Sequence, residues 1–246
     1  SEALANFATW LAGPIVETHG GQLIYAGGDD VLALLPLHGA LQAARALQRA
    51  FEKVGQGLVL PETNPAPTLS VGLAVVHHLD PFGEARALAQ RAEKLAKVER
   101  DSLAIVVQKR SGGDLELTAR WADALDERLL RWVRLFHEGA LSSKAAFDLE
   151  EAIAPLTVGA KAEHAKDFAA VATSLAKRVL LAKRERGGGK RVEEEIVQAL
   201  ESRFSGRQDP IDEVTRLASE LQVAQAFLAG FEAAFGDPKR KSDRDA

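Results

Sequence analysis

In the first half of the chain, segments with helical spacing of hydrophobic residues alternate with short apolar runs of strand length. Helical spacing of apolar residues predicts three amphipathic helices, at 2–18, 38–53 and 82–99. Short runs rich in Val, Ile and Leu predict four strands, at 22–26, 31–35, 69–77 and 103–109. Gly72, inside the third strand, marks a place where another backbone or a ligand comes close. The segment 55–68 is rich in Gly, Pro and Asn, which predicts a long loop. Helices and strands therefore alternate, which is typical of one sheet with helices on one face.

The second half has a different pattern, because strand signals stop at about Leu115. Ala, Leu, Glu, Arg and Lys dominate, and their spacing predicts helices at 118–138, 142–153, 160–186, 190–204 and 209–235. The last of these carries a strong apolar stripe from Val214 to Phe231. We therefore expect a mixed α+β domain over 1–113, an all-helical domain over 114–236 and a charged, disordered tail over 237–246.

The segment Gly27-Gly28-Asp29-Asp30 separates the first two predicted strands. A glycine pair between two strand-length runs indicates a tight hairpin, because such turns need residues that accept positive φ. Two acids then open a strand that is otherwise apolar. Adjacent carboxylates repel each other unless a cation neutralises them, and hard cations such as Mg²⁺ prefer oxygen ligands. The pattern predicts a metal site at Asp29 and Asp30, and these residues alone leave an exposed acidic turn open as the alternative.

Composition excludes several classes of site. The chain contains no Cys, which excludes disulfides, zinc–thiolate centres and thiol nucleophiles. Its net charge of −4 argues against sequence-independent coating of nucleic acid, although it allows a local basic site. No apolar run approaches the roughly 18 residues that a membrane span needs, and a cytoplasmic protein is expected. The chain also lacks Met, even at its first position, so we expect Ser1 to be the cut end of a longer chain.

Two segments at predicted strand ends could carry chemistry. His77-His78 are expected on a strand, where neighbouring side chains point to opposite faces and cannot easily share one metal ion. The segment Lys109-Arg110-Ser111-Gly112-Gly113 could clamp a triphosphate through its cations and backbone N–H groups. A solvated turn is the other interpretation of that segment.

The helical half offers a basic loop but no clustered acids beside a glycine turn. The loop 183–191 resembles a Walker loop only superficially, because Arg191 stands where Ser or Thr is needed. It is either a solvated connector or, through Lys190 and Arg191, a contact for RNA or a partner. Trp121 and Trp132 are predicted to lie on one helix as core residues rather than as a base-stacking platform.

Three segments of the first half together resemble one family. The hairpin segment 19–36, HGGQLIYAGGDDVLALLP, is similar to the active hairpin of the large, polymerase-like subunit of type III CRISPR effector complexes. The segments 70–77, SVGLAVVH, and 92–112, which begins AEKLAK and ends LAIVVQKRSG, are similar to later palm elements of that family. The motifs cover about residues 2–113, and the remainder is similar only in character to the family's C-terminal, thumb-like domain.

The resemblance implies an α+β fold with a ferredoxin-like palm of the polymerase and nucleotide-cyclase type, followed by an all-helical domain. The family's first palm strand, which supplies another metal-binding carboxylate, is missing from this chain. The family's palm binds ATP with Mg²⁺ or Mn²⁺. When target RNA pairs with guide RNA, it joins ATP through 3′–5′ bonds into cyclic oligoadenylates, the second messengers of an antiviral defence. By itself this chain is then expected to be a poor enzyme.

Site residues follow from the same resemblance. Asp29 and Asp30 would be the catalytic residues that hold the metals, and Gly27 and Gly28 would let the phosphates approach the backbone. The remaining nucleotide-binding positions would be near the nucleotide or its triphosphate: Ser70, Gly72, Lys109 and Arg110.

Two alternatives remain beside this interpretation. A diguanylate-cyclase-like domain would use GTP, but such domains usually carry an acid and an aromatic residue after GGD, and here Val31 follows Asp30. A non-catalytic structural module would dock small helical subunits through its own helices. Whether the effector subunit is catalytic or only structural, the expected partners are other effector subunits, including small helical ones. Guide RNA and target RNA would be contacted through the complex. Part of the apolar stripe of the last helix would remain uncovered for small helical subunits.

Overall fold

The chain folds into two compact units, Ser1–Leu130 and Arg131–Ala246. The computed structural model describes the residues 2–27, 30–56, 67–109, 112–159, 165–182, 190–204 and 210–236. Mixed helices and strands make up the first unit and helices the second, so the predicted α+β class is confirmed. The division falls after Leu130 rather than after residue 113, because one more strand than predicted belongs to the first unit.

The first predicted helix is present in three consecutive pieces. Helix α1 (Glu2–Asn6) continues into a π-helical segment (Phe7–Ala12), which continues into helix α2 (Gly13–Thr18). Pro14 has no backbone N–H to donate, so a regular α-helical register cannot run through it unchanged. The interruption predicted near Gly13 is therefore a change of helical pitch.

The predicted hairpin follows directly. Strand β1 (Gln22–Gly27) pairs in antiparallel fashion with strand β2 (Asp30–Leu34), and Gly27 lies opposite Asp30 in the pair that closes the turn. The register shifts between Leu23 and Tyr25, which marks a bulge at Ile24.

Helices cover one face of this hairpin. Helix α3 (Leu37–Gln56) packs against the helical pieces over residues 2–18. In the core between them, the rings of Phe7 and Phe51 meet edge to face, with centroids 5.2 Å apart. The hairpin residues that pack against this core are Leu23, Ala26, Val31 and Ala33. Val31 and Ala33 alternate along β2, as expected of a hairpin with one buried face, whereas Leu23 and Ala26 are three residues apart because the bulge adds a residue to β1.

A second sheet has the order β3-β4-β5. Strands β3 (Val71–Val75) and β4 (Ser102–Val107) are parallel and are connected by helix α4 (Phe82–Glu99), while β5 (Leu115–Arg120) is antiparallel to β4. Every residue of β4 is buried. In the described part of the chain, no strand pairs the hairpin with this sheet.

Strand β5 corrects the sequence analysis. A helix was predicted from residue 118, within a domain expected to be all-helical from residue 114. The observed helix α5 (Leu125–His137) begins later, after a 3₁₀ turn (Trp121–Asp123). Residues 115–120 instead pair along the whole of β4, and Leu117 and Ala119 are buried there.

Trp121 connects distant parts of the first unit. Its indole Nε1 donates to the backbone oxygen of Leu69 at 2.7 Å, and the Arg45 guanidinium carbon lies 4.6 Å from its ring centroid. Arg45 Nε donates to Asp126 Oδ2 at 2.8 Å. This hydrogen bond raises the pKa of the Arg45 guanidinium above its ordinary value, although burial acts in the opposite direction. The predicted core role of Trp121 is confirmed, since it is buried.

The second unit is a helical bundle. Helix α6 packs against α7 and α9, and α7 packs against α8 and α9. The bounds of these helices are Ala145–Gly159 for α6, Ala165–Ala182 for α7, Lys190–Phe204 for α8 and Pro210–Phe235 for α9. No helix in the described ranges is both long and apolar enough to cross a membrane. The predicted tail, 237–246, lies outside the described residues.

The apolar stripe of α9 lies in this bundle's core. Val214, Leu217, Leu221 and Ala224 are fully buried, whereas Leu228 and Phe231 at the C-terminal end of the stripe are only half-buried. The expectation that part of the stripe stays uncovered for small helical subunits remains a prediction. A buried cation lies in the same unit: Arg203 Nε is 2.6 Å from a carboxylate oxygen of Glu213. Its Nη1 donates to Glu220 at 2.7 Å.

Candidate metal and nucleotide site

Asp30 opens strand β2 and is exposed. Its partner across the hairpin is Gly27, which is separated from it by two residues in the sequence. Gly28 and Asp29, which were predicted to contribute a backbone approach and the second carboxylate, lie outside the described residues. The structure therefore shows one acid of the predicted pair, at the end of a rigid hairpin.

The alternation of the strands assigns each hairpin residue to a face. Residues directly opposite each other in an antiparallel pair share a face, and every second residue of a strand returns to it. Asp30 and Leu32 of β2 therefore share a face with Gly27 and Tyr25 of β1. This outer face points away from the helices that cover the other side, and Tyr25 is 56% exposed on it.

The ring of Tyr25 lies beside Gly27. A Cβ placed on Gly27 would lie 2.8 Å from Cζ of Tyr25 and 3.2 Å from its Cε2, with the hydroxyl oxygen nearer still. The phenol thus occupies the space that a side chain at this position would take. The glycine predicted to admit a phosphate to the backbone also admits an aromatic ring from its own strand.

A helix backbone comes close to Gly72. A Cβ on Gly72 would lie 2.5 Å from the carbonyl carbon of Ala92 and 2.6 Å from Cα of Glu93. Its side-chain direction is therefore filled by the backbone of α4. The approach predicted for another backbone or a ligand is thus made by a backbone, and a contact of Gly72 with the nucleotide stays a prediction.

Two other predicted nucleotide contacts are far from each other. Ser70 directly precedes β3, while Lys109 follows the end of β4. Val71 lies opposite Leu103 at one end of this parallel pair, so Lys109 is about 20 Å further along, at ~3.3 Å per residue. Ser70 was predicted to lie near the nucleotide and Lys109 near its triphosphate, and both contacts stay predictions. Arg110 lies outside the described residues.

His77 and His78 are closer together than predicted. Strand β3 ends at Val75, so both follow the strand, and their ring centroids lie 4.4 Å apart. His77 is held in a turn, since its backbone N donates to Asp80 Oδ2 at 2.9 Å. Within the described ranges, no group of three or more His, Cys, Asp or Glu residues is arranged to hold a metal ion.

A metal at the hairpin is nevertheless compatible with the donor set. Mg²⁺ usually keeps several waters and is bound through one or two carboxylates together with substrate phosphates. Asp30 is exposed on the open outer face of the hairpin, so it could supply one such carboxylate while phosphates and waters complete the coordination.

The large cavity of the first unit lies elsewhere. It has a volume of about 760 Å³ and is lined by helices, with Leu11 and Ile15 on one side and Ala46, Ala50 and Val54 on another. Arg45 and Asp126 also line it, but no residue of the hairpin does. Sequence analysis did not anticipate this cavity, because its walls come from segments more than 100 residues apart.

The predicted partner contact in the second unit is described only in part. Lys190 and Arg191 are the first residues of α8, and residues 183–189 of the basic loop lie outside the described residues.

Comparisons with known proteins agree with the hairpin motif. Residues 1–104 match the family model of the second palm domain of Cas10/Cmr2 proteins. The chain is 35% identical over 148 residues, 58% of its length, to the CRISPR system Cmr subunit Cmr2 of Pyrococcus furiosus. The aligned part corresponds to only 15% of that relative. The first 104 residues are therefore similar to a Cas10/Cmr2 second palm domain, in agreement with the resemblance that the hairpin motif indicated.

Proposed function

We propose that this Cas10/Cmr2-like chain is part of the large subunit of a type III CRISPR effector, in which its hairpin binds ATP with Mg²⁺ or Mn²⁺. The assembled subunit joins ATP into cyclic oligoadenylates when target RNA is recognised, as an antiviral defence. The chain is then a nucleotidyltransferase component within the full-length assembly.

One observation carries this proposal. The part of the chain that matches a palm domain contains an exposed carboxylate, Asp30, at the closing pair of a hairpin whose other face is anchored to a helical layer. Such anchoring holds the acid rigidly while one side stays open to a large substrate.

In the proposed reaction, the 3′-oxygen of one ATP attacks the α-phosphorus of another. A 3′–5′ phosphodiester bond forms, the bond to the β-phosphate oxygen breaks, and pyrophosphate leaves. Asp29 and Asp30 would hold the divalent metal, which when bound supplies activation of the 3′-hydroxyl and stabilisation of the leaving pyrophosphate. The protein's own contribution is to position these groups.

The proposed nucleotide contacts follow the predicted set. Gly27 stays in it because it lies opposite Asp30, and Gly28 stays in it because it is part of the same sequence motif. Ser70 stays in it because neighbouring Leu69 packs against the same core as the hairpin strands. Lys109 and Arg110 follow the far end of β4 and stay in it as predicted contacts of the triphosphate.

The double variant Asp29→Asn/Asp30→Asn in the full-length effector tests the proposal. We expect it to abolish Mg²⁺-dependent conversion of ATP, measured as radiolabelled cyclic products, while assembly and RNA binding persist. Glu17→Asn, an exposed acid on α2, is the matched charge control and should retain activity. Undiminished product from the double variant would remove the assignment.

The same assay decides the base. On family resemblance we propose ATP as the substrate, and side-by-side turnover of ATP and GTP measures it. Faster conversion of GTP would favour the diguanylate-cyclase-like alternative.

We also propose that the helical unit docks other effector subunits and reaches guide and target RNA through the complex. The features of this unit that could contact partners are its helices and the basic segment that contains Lys190 and Arg191. An acidic chain with one basic segment suits a defined contact better than sequence-independent coating.

A further inference from the structure

The outer face of the hairpin carries the chain's only tyrosine, Tyr25. Its ring is more than half exposed, although it lies against the backbone of Gly27. Within the described part of the chain, its hydroxyl has no hydrogen-bond partner. An aromatic ring left in solvent gains little from burial, so packing does not explain this position.

The hydroxyl stands close to the acid of the candidate site. Gly27 and Asp30 are directly opposite each other, and the Cβ atoms of such pairs lie about 5 Å apart. Because the tip of the Tyr25 ring occupies the space of a side chain on Gly27, it stands about that far from the Cβ of Asp30. Metal–oxygen distances for Mg²⁺ are about 2.1 Å, so one cation and one of its phosphate ligands fit between the carboxylate and the hydroxyl.

The chemistry of the phenol suits this place. A phenol O–H donates a hydrogen bond, whereas phosphate oxygens only accept, and hydrogen bonds to charged acceptors are the strong ones. The donor also carries no charge of its own, so it does not compete with the cation for Asp30.

We propose that the Tyr25 hydroxyl donates a hydrogen bond to a phosphate oxygen of the nucleotide that binds at Asp30. This inference rests on the proposed function and adds a substrate-positioning residue to the same site. The ring supports the phosphate chain from one side of the turn while the metal binds it from the other. A side chain at position 27 would displace the hydroxyl from this position.

A single tyrosine permits a direct test in the 246-residue chain. Uniform labelling with 3-fluorotyrosine places one ¹⁹F nucleus, at Tyr25. We expect the resonance to shift with Mg²⁺–ATP and with Mg²⁺–tripolyphosphate, and not with adenosine. The shift should disappear in Asp30→Asn. A shift with adenosine but not with tripolyphosphate would mean that the ring stacks on the base, which overturns the phosphate contact.

Calorimetry with the same ligands separates this inference from the proposed function. We expect Tyr25→Phe, which keeps the ring, to weaken Mg²⁺–tripolyphosphate binding roughly tenfold, the loss expected for one hydrogen bond to a charged group. Leu34→Ala, an exposed position at the other end of β2, is the control and should bind normally.

The outcomes are distinct. If Mg²⁺–ATP binds in an Asp30-dependent way but neither the ¹⁹F resonance nor the Tyr25→Phe affinity changes, the tyrosine is outside the site while the proposed function stands. If neither Mg²⁺–ATP nor Mg²⁺–tripolyphosphate binds the full-length effector when the same titrations are repeated on it, both are wrong.

Discussion

Replacing Gly72 with Ala tests the close approach between strand β3 and helix α4. The added methyl would lie 2.5 Å from the carbonyl carbon of Ala92 and 2.6 Å from Cα of Glu93. Unstrained contacts between carbon atoms are about 3.5 Å or longer, so strand and helix must separate by about 1 Å. Both atoms belong to the backbone in the interior of a helix, so no change of rotamer relieves the contact.

The cost follows from this geometry. Overpacking a well-filled core costs about 1–3 kcal/mol, and the separation also loosens the fully buried Ala92 and Ala96 on α4. We therefore expect Gly72→Ala to lower the free energy of unfolding of the first unit by about 3 kcal/mol. Because the two units can unfold separately, urea unfolding followed by circular dichroism should be combined with hydrogen exchange of peptides from α4.

Gly83→Ala is the matched control. Gly83 lies in the first turn of α4, and a Cβ there would meet nothing within 4 Å. Alanine is the better helix former, so this variant should be more stable by about 0.5 kcal/mol. Equal stability of the two variants would refute the close approach. Loss of nucleotide affinity in Gly72→Ala at unchanged stability would support its predicted role at the nucleotide.

Two further predictions concern the helical unit. Arg203→Met should lower the free energy of unfolding of this unit by about 3–5 kcal/mol, because two buried carboxylates lose their cation. The control Arg178→Met changes an exposed residue. Equal losses of stability for the two variants in urea unfolding would contradict the buried network. Lys190→Glu with Arg191→Glu should weaken effector assembly or RNA-dependent activation in a salt-sensitive way, without changing ATP binding at the palm. Normal assembly and activation of that variant across a range of salt would make the loop a solvated connector.

Most elements of the first unit could be predicted from the sequence, because the spacing of apolar residues within each segment is enough to identify a helix or a strand. Helices α3 and α4, the hairpin and strand β4 all follow from spacing within one element. Strand β5 could not be predicted in this way: Leu115–Arg120 is rich in good helix formers, and it is extended because buried β4 offers it a complete ladder of partners.

The candidate site shows the same limit. The position of Asp30 followed from a short motif, since both strands and their turn are contiguous. The outer-face position of Tyr25 required the observed register, because the bulge between Leu23 and Tyr25 changes which residues share a face. For Gly72, the sequence indicated that some group comes close, but only the fold identifies the backbone of α4 as that group.

The contacts around Trp121 have a consequence for how the chain acquires its structure. The hydrogen bond between Arg45 and Asp126 joins residues 81 positions apart, and that between Trp121 and Leu69 joins residues 52 apart. Such distant pairings form late, because the intervening chain must first lose much of its freedom. During synthesis the hairpin and its helices can therefore assemble as soon as they emerge, whereas the Arg45 side of α3 waits for the segment around residue 126. If the ribosome pauses before that segment, the hairpin can already be formed while Arg45 on α3 still lacks its contact with Asp126.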